Sequence, residues 1–151
     1  MDRRAAVLNF WMNQPEIVSV IAPGFELSDW SIFFDNPRNV MLEHPHGIAL
    51  FFYEGDGAYD GHYVFGPKLR GKKALVVAKG MINVIFTRYN ATTILGHVAT
   101  VNRPARVVTR ALGFVPTGHG SVDTFHRPCV DYVLTRSQWE RLPWAVKVNH
   151  G

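Results

Sequence analysis

The sequence predicts an α/β chain of the α+β kind, a mixed and mostly antiparallel sheet flanked by helices. Three observations carry this expectation. Three β-rich runs, at residues 40–44, 47–53 and 58–65, follow one another at hairpin spacing, which implies an antiparallel meander. A long apolar helical pattern then occupies residues 72–87. Beyond it come a strand, a helix and two more strands.

Each element has its own local cause. Residues 5–12 place apolar side chains at 7, 8 and 11, with 10 and 12 alongside, as a short amphipathic helix does. Asn13 is placed to cap a second helix over residues 16–21, with Pro15 in its first turn and Ala22-Pro23-Gly24 ending it. Residues 25–34 are aromatic-rich and read as loop with a strand or helical turn that plugs the core; Asp35-Asn36-Pro37-Arg38-Asn39 is a turn. Glu54-Gly55-Asp56-Gly57 has the composition of a hairpin turn.

The central helix carries apolar residues at 74, 75, 78, 81, 82, 85 and 86. Val76, Val77 and Val84 extend that coverage, so the helix is expected to be buried on most sides. Gly80 near its middle costs roughly 1 kcal/mol against alanine, which predicts close backbone packing there. Residues 92–101 form a strand in which Gly96 marks a bulge or a close approach. Asn102 caps a helix that has Pro104 in its first turn and runs to Ala111, where Gly113 stops it. Phe114-Val115 and residues 129–134 are the last strands, followed by a turn near 137–141 and a tail with Trp144. Without a repeat or linker, one domain over 1–151 is expected: a helical or irregular part to 39, a core over 40–139 and a tail over 140–151.

Composition narrows the function classes. With 47% hydrophobic and 19% charged residues the balance is globular, not disordered. The net charge of +4, with Lys68, Arg70, Lys72 and Lys73 crowded together, suits a phosphorylated small ligand at least as well as nucleic acid. Basic blocks interleaved with aromatics are missing, so no specific nucleic-acid binding is expected. Cys129 stands alone, which removes an intrachain disulfide and a cysteine-based zinc site. His44-Pro45-His46 has no third ligand nearby in sequence, and no metal is expected. Gly118-His119-Gly120-Ser121 lacks the spacing of a nucleophile elbow. Cys129 reads as a small core residue, and Trp139 and Trp144 as packing or interface residues. No apolar run approaches a membrane span, so a cytoplasmic location is expected.

The most informative stretch is the path from the strand at 61–65 into the central helix. Gly66-Pro67 turns the chain, and Lys68-Leu69-Arg70-Gly71-Lys72-Lys73 leads into the helix. First-turn amides lack intrahelical partners and the helix dipole is positive there, so this is an expected anion site.

Two motifs on this order of elements carry a resemblance. Arg70-Gly71 opens the central helix, and Asn102-x-x-Ala105 is followed by Leu112-Gly113-Phe114 and Gly118. Together they resemble the GNAT superfamily of acetyl-CoA-dependent N-acetyltransferases. Asp131-Tyr132-Val133-Leu134 with Arg136 and Trp139 is similar to the closing strand of its ribosomal-protein-acetyltransferase branch. The likeness covers about residues 40–139 and is similar in pattern to short GNAT-like proteins of bacteriophages.

The resemblance implies a GNAT-like sheet with a splayed pair of central strands. It implies coenzyme A pyrophosphate held by the backbone of Leu69, Arg70, Gly71, Lys72, Lys73 and Ala74, and the pantetheine arm by Asn102, Ala105 and Arg106. Residues 62–65 and 96–100 lie nearest the acyl group, with Val64 and Phe65 beside the thioester. The chain departs from the family at Lys73 and Leu75, where small residues are usual, and at Thr109, where many members have an acidic tyrosine. It also has Ala105 where the ribosomal branch has serine, and Asp60 or His62 in place of the strand glutamate.

Acyl transfer to an amine needs a base, a donor to the tetrahedral oxyanion and a proton for the departing thiolate. His62 and Asp60 are the expected catalytic residues, His97 faces them from the next strand, and a backbone amide such as Val64's is the expected oxyanion donor. The first reading is therefore an acetyl-CoA-dependent N-acyltransferase acting on an unidentified amine, which Arg70-Gly71 and Asn102 favour. The second is an inactive protein of the same fold, a virion or head-associated component partnered by other phage or self subunits, which Lys73, Leu75, Ala105 and Thr109 favour. The enzyme is the preferred reading, with residues 16–34 and 118–128 choosing the acceptor.

Overall fold

Strands β1 (Val40–His44), β2 (Gly47–Gly55) and β3 (Ala58–Phe65) pair antiparallel in succession, as their hairpin spacing predicts. A computed structural model describes residues 2–21, 29–123 and 125–147. The run Ala22-Pro23-Gly24, and with it the middle of one segment expected to choose the acceptor, lies outside the described residues. Asp56 and Gly57 both take positive φ (52° and 77°), the mirror-image turn that matches the twist of a hairpin. Helix α3 (Gly71–Arg88) then crosses to β4 (Thr93–Ala99), which lies parallel to β3. β5 (Val115–Val122) and β6 (Pro128–Thr135) complete one sheet in the order β1-β2-β3-β4-β6-β5.

Helices cover both faces of this sheet. Side chains alternate along a strand, so β2 sends Ile48 and Leu50 one way and Ala49 and Phe51 the other, and all four are buried. Ile48, Leu50 and Val64 pack with Leu8 and Met12 of α1 (Arg3–Met12), Ile17 of α2 (Pro15–Ile21) and Phe33. Phe33 comes from a short 3-10 turn (Ser31–Asp35), the plug expected of that aromatic segment. On the opposite face Phe51, Tyr59, Ile94 and Leu134 meet Ala78, Ile82, Ile85 and Phe86 of α3. Asn102 caps α4 (Arg103–Ala111) by accepting the Ala105 amide, and Gly113 ends it at φ 101°, as expected. No helix among the described residues is long and apolar enough to cross a membrane.

Three local expectations fail. A Cβ on Gly80 would meet nothing within 4 Å, because Gly80 lies on the solvent face of α3 rather than at a close crossing. Val76 is 69% exposed, so α3 is buried along one broad stripe and not on most sides. The β4–β6 register runs unbroken through Gly96. The irregularity lies instead between Pro116 and Gly120 of β5, where Gly118 takes φ 85°. β5 is accordingly longer than Phe114-Val115 and includes His119 and Ser121.

Candidate functional site

β3 and β4 stay paired only at Ala58–Thr93, Tyr59–Ile94 and Asp60–Leu95. Beyond that point β3 is held by β2 alone and β4 by β6 alone, and the two strands part. Residues 61–65 and 96–99 border the opening. Antiparallel pairing alternates, and the Gly66 amide bonds to the His46 carbonyl at 2.8 Å. Counting back from that bond, the backbones of Val64 and His62 turn towards β2, while those of Tyr63 and Phe65 face the opening. Val64's side chain is 1% exposed within the first core, so Tyr63 takes the place expected for Val64 at the mouth of the cleft.

The loop into α3 is braced by Arg70. Its guanidinium donates to the carbonyls of Phe65 (2.9 Å), Gly66 (2.9 Å) and Leu69 (3.0 Å), tying the strand end to the helix start. Arg70 thus organises the turn, and its side chain is drawn back from the position expected for holding an anion. Leu69 is buried and its amide bonds to Gly66. Gly71 has φ 59°, a conformation glycine adopts without strain. No side chain caps the helix, and the amides of Gly71, Lys72 and Lys73 have no acceptor among the described residues. Lys68, Lys72 and Lys73 line a cleft of about 610 Å³ with His44 and His46. His44 accepts the His46 amide at Nδ1, and no group of three His, Cys, Asp or Glu side chains placed to hold a metal ion occurs among the described residues.

On the sheet face covered by α1, a chain of polar side chains crosses four strands. His62 Nε2 lies 3.3 Å from Asp60 Oδ2, and His97 Nε2 lies 3.9 Å from Asp60 Oδ1. His97 Nδ1 lies 2.8 Å from Asp131 Oδ1, which also accepts the Ser121 hydroxyl at 2.6 Å. Burial pushes the Asp131 carboxyl up, but the hydrogen bonds from His97 and Ser121 outweigh it and hold Asp131 below the usual carboxylate range. Asp60 Oδ1 is shielded and accepts no hydrogen bond among the described residues. The His62 and Phe52 rings meet nearly perpendicular, centroids 5.4 Å apart. The sequence points to Asp60, His62 and His97, but Asp131 and Ser121 enter only through the register that sets Asp131 opposite His97. Their one signal is a lone acid in an otherwise apolar strand.

The other side of the opening, facing α3, holds Tyr63. Its hydroxyl oxygen is shielded and makes no hydrogen bond among the described residues. Burial, reinforced by the charge of Asp60, pushes the phenol well above its ordinary value, so it stays protonated. Thr109 cannot supply a proton here, since its hydroxyl already donates to the Ala105 carbonyl at 2.7 Å. Asn102 uses its side-chain oxygen for the α4 cap, and Arg106 has a shielded Nε without a partner.

Comparison with solved structures identifies the architecture. The fold is similar to that of aminoglycoside acetyltransferase AAC(6')-Ib in complex with coenzyme A, at TM-score 0.70 and 20% identity over 91% of this chain and 92% of that one. An acetyltransferase of the GNAT family from Bacillus anthracis matches at TM-score 0.65 and 19% identity, over 84% of this chain and 86% of that one. A chimera of spermidine N-acetyltransferase SpeG from Vibrio cholerae with hSSAT matches at TM-score 0.61 and 18% identity, covering 72% and 74%. No protein-family model and no curated protein matches the sequence. What is shared at these identities is the GNAT fold: a six-stranded, mostly antiparallel sheet with its central strands splayed.

Proposed function

We propose that this protein transfers an acetyl group from acetyl-CoA to an amine. The observation that carries the reading is the parted β3–β4 pair with complementary chemistry on its two sides. On one side stand the unpaired amides of Gly71, Lys72 and Lys73, which suit a diphosphate. On the other stand His62 and Asp60. Coenzyme A supplies the activated thioester. Arg70, Leu69 and Ala74 shape its pyrophosphate loop, while Asn102, Ala105 and Arg106 border its arm along α4. AAC(6')-Ib, solved with coenzyme A and kanamycin, and the spermidine enzyme supply the comparison for an amine acceptor. The virion reading draws nothing from these neighbours.

The reaction balances as follows. The amine nitrogen attacks the thioester carbonyl, the C–N bond forms, and collapse of the tetrahedral intermediate breaks the C–S bond. An alkylammonium loses two protons on becoming an amide: the first leaves for solvent before attack, and the second leaves as the C–N bond forms. Asp60 with His62 accepts one from the attacking nitrogen, and His62, the more exposed of the two, passes it to solvent. The gap-facing Tyr63 or Phe65 amide donates to the oxyanion. The phenol of Tyr63, which stays protonated, donates a hydrogen bond to the departing sulfur, and the thiolate takes its proton from solvent on release.

Acetyl-CoA titration by calorimetry tests the reading. A saturable single-site heat is expected, reduced by salt and by the double change Lys72→Ala with Lys73→Ala. No heat with ligand at about 1 mM would overturn it. Tyr63→Phe is expected to lower kcat by roughly 10–100-fold through loss of that donor, with the KM for acetyl-CoA unchanged. Its melting temperature should hold or rise, since the hydroxyl removed is buried without a partner. An unchanged kcat would remove Tyr63 from the mechanism.

A further inference from the structure

We infer that Asp60 Oδ1 and His97 Nε2 together seat the acceptor as a primary ammonium, with His97 held ready as a base by Asp131 and Ser121. This deepens the transfer reading above and rests on it.

The argument begins at Asp131. An ionised carboxylate only accepts hydrogen bonds, so the 2.8 Å contact requires the proton of His97 to sit on Nδ1. The Ser121 hydroxyl donates to the same Asp131 oxygen at 2.6 Å and fixes the carboxylate in place. In the neutral form, His97 with its proton on Nδ1 directs a bare lone pair from Nε2. That lone pair faces Asp60 Oδ1 at 3.9 Å, beyond hydrogen-bond range. Two acceptors therefore look at each other across a gap, and one of them is a shielded carboxylate oxygen with no partner. A shielded carboxylate oxygen left without a donor is costly, which marks the gap as a place for one.

A nitrogen at ordinary hydrogen-bond range from both atoms closes a triangle on that 3.9 Å base, using two of its N–H groups. The carboxylates of Asp60 and Asp131 also bring negative charge to the gap, which favours a cation over water. A primary ammonium meets both requirements, and a quaternary one has no N–H to offer. His97 then takes the first proton on its way to solvent and frees the amine for attack. Asp60 with His62 takes the second, after the C–N bond forms. Asp131 and Ser121 act as positioning residues.

Nitrogen-15 spectra of the imidazoles at neutral pH test this without a known substrate. His97 is expected in the Nδ1–H tautomer, and Asp131→Ala should shift it towards Nε2–H. Titration with n-butylammonium should move the His97 Nε2 resonance saturably, whereas tetramethylammonium should leave it in place. His97 found as an imidazolium, or as the Nε2–H tautomer in the unchanged protein, would overturn the inference, because the slot would already hold a proton. Equal response to both ammonium ions, or to neither, would overturn it as well. Acetyl-CoA calorimetry on the same sample separates the two levels: coenzyme binding without ammonium selectivity sinks the seat alone, and loss of coenzyme binding sinks the transfer reading.

Discussion

Trp139→Ala is expected to destabilise the protein by roughly 3–5 kcal/mol, the usual cost of deleting a large buried ring. Trp139 is fully buried and stacks on Phe86 of α3 at 4.7 Å between centroids and 14° between planes. Its indole N–H donates to Asn83 Oδ1 at 2.9 Å, the oxygen that also accepts the Val146 amide, while the Asn83 amide reaches the Trp144 carbonyl. Arg136 caps the pair, its guanidinium 5.8 Å from each ring centre and bonded to the carbonyls of Ala91 and Phe86. Removing the indole therefore opens a cavity and strips one bond from Asn83. At about 2–4 °C per kcal/mol for a chain of this size, melting should fall by roughly 6–20 °C. Trp139→Phe keeps most of the packing and should recover most of the loss. A shift below about 1 kcal/mol for the alanine variant would show that α3 is anchored elsewhere.

The second large effect is on activity. Asp60→Asn should lower kcat/KM by roughly 10²–10⁴-fold, the range for losing a positioned base, with acetyl-CoA binding retained. Stability should move the other way. Asp60 Oδ1 is shielded and unpartnered, so a neutral amide lowers the cost of keeping that oxygen from water, and the melting temperature is expected to hold or rise. Steady-state kinetics set beside a melting curve decide the matter. Activity and stability falling together would mean that Asp60 holds the sheet rather than the substrate.

Much of this site is legible along the chain because its parts are local. Gly66-Pro67 and Arg70-Gly71 carry the turn and the helix start in six successive residues, and nearest-neighbour sterics decide them. Asp60 and His62 are two apart on one strand, so alternation puts them on one face. Asp131 is harder to find, because it meets His97 only through a pairing 34 residues apart in sequence. The Val64 and Tyr63 assignments turn on which edge of β3 each amide faces, and that parity is set by the β2 register. Gly80 and Gly96 mislead for the same reason: glycine reports permission for close approach, and only the neighbours decide whether anything approaches.

By itself the sequence determined the order of strands and helices, the hairpin turns and the cationic start of α3. Each follows from short-range chemistry that no distant residue can undo. The tertiary structure alone decided that β3 and β4 part after Asp60 and Leu95, that Arg70 folds back on its own loop, and that Asp131 orients His97 towards an unpartnered carboxylate oxygen. Those are outcomes of register and packing, in which a group's partner is set by chain closure across the sheet and not by its position along the chain.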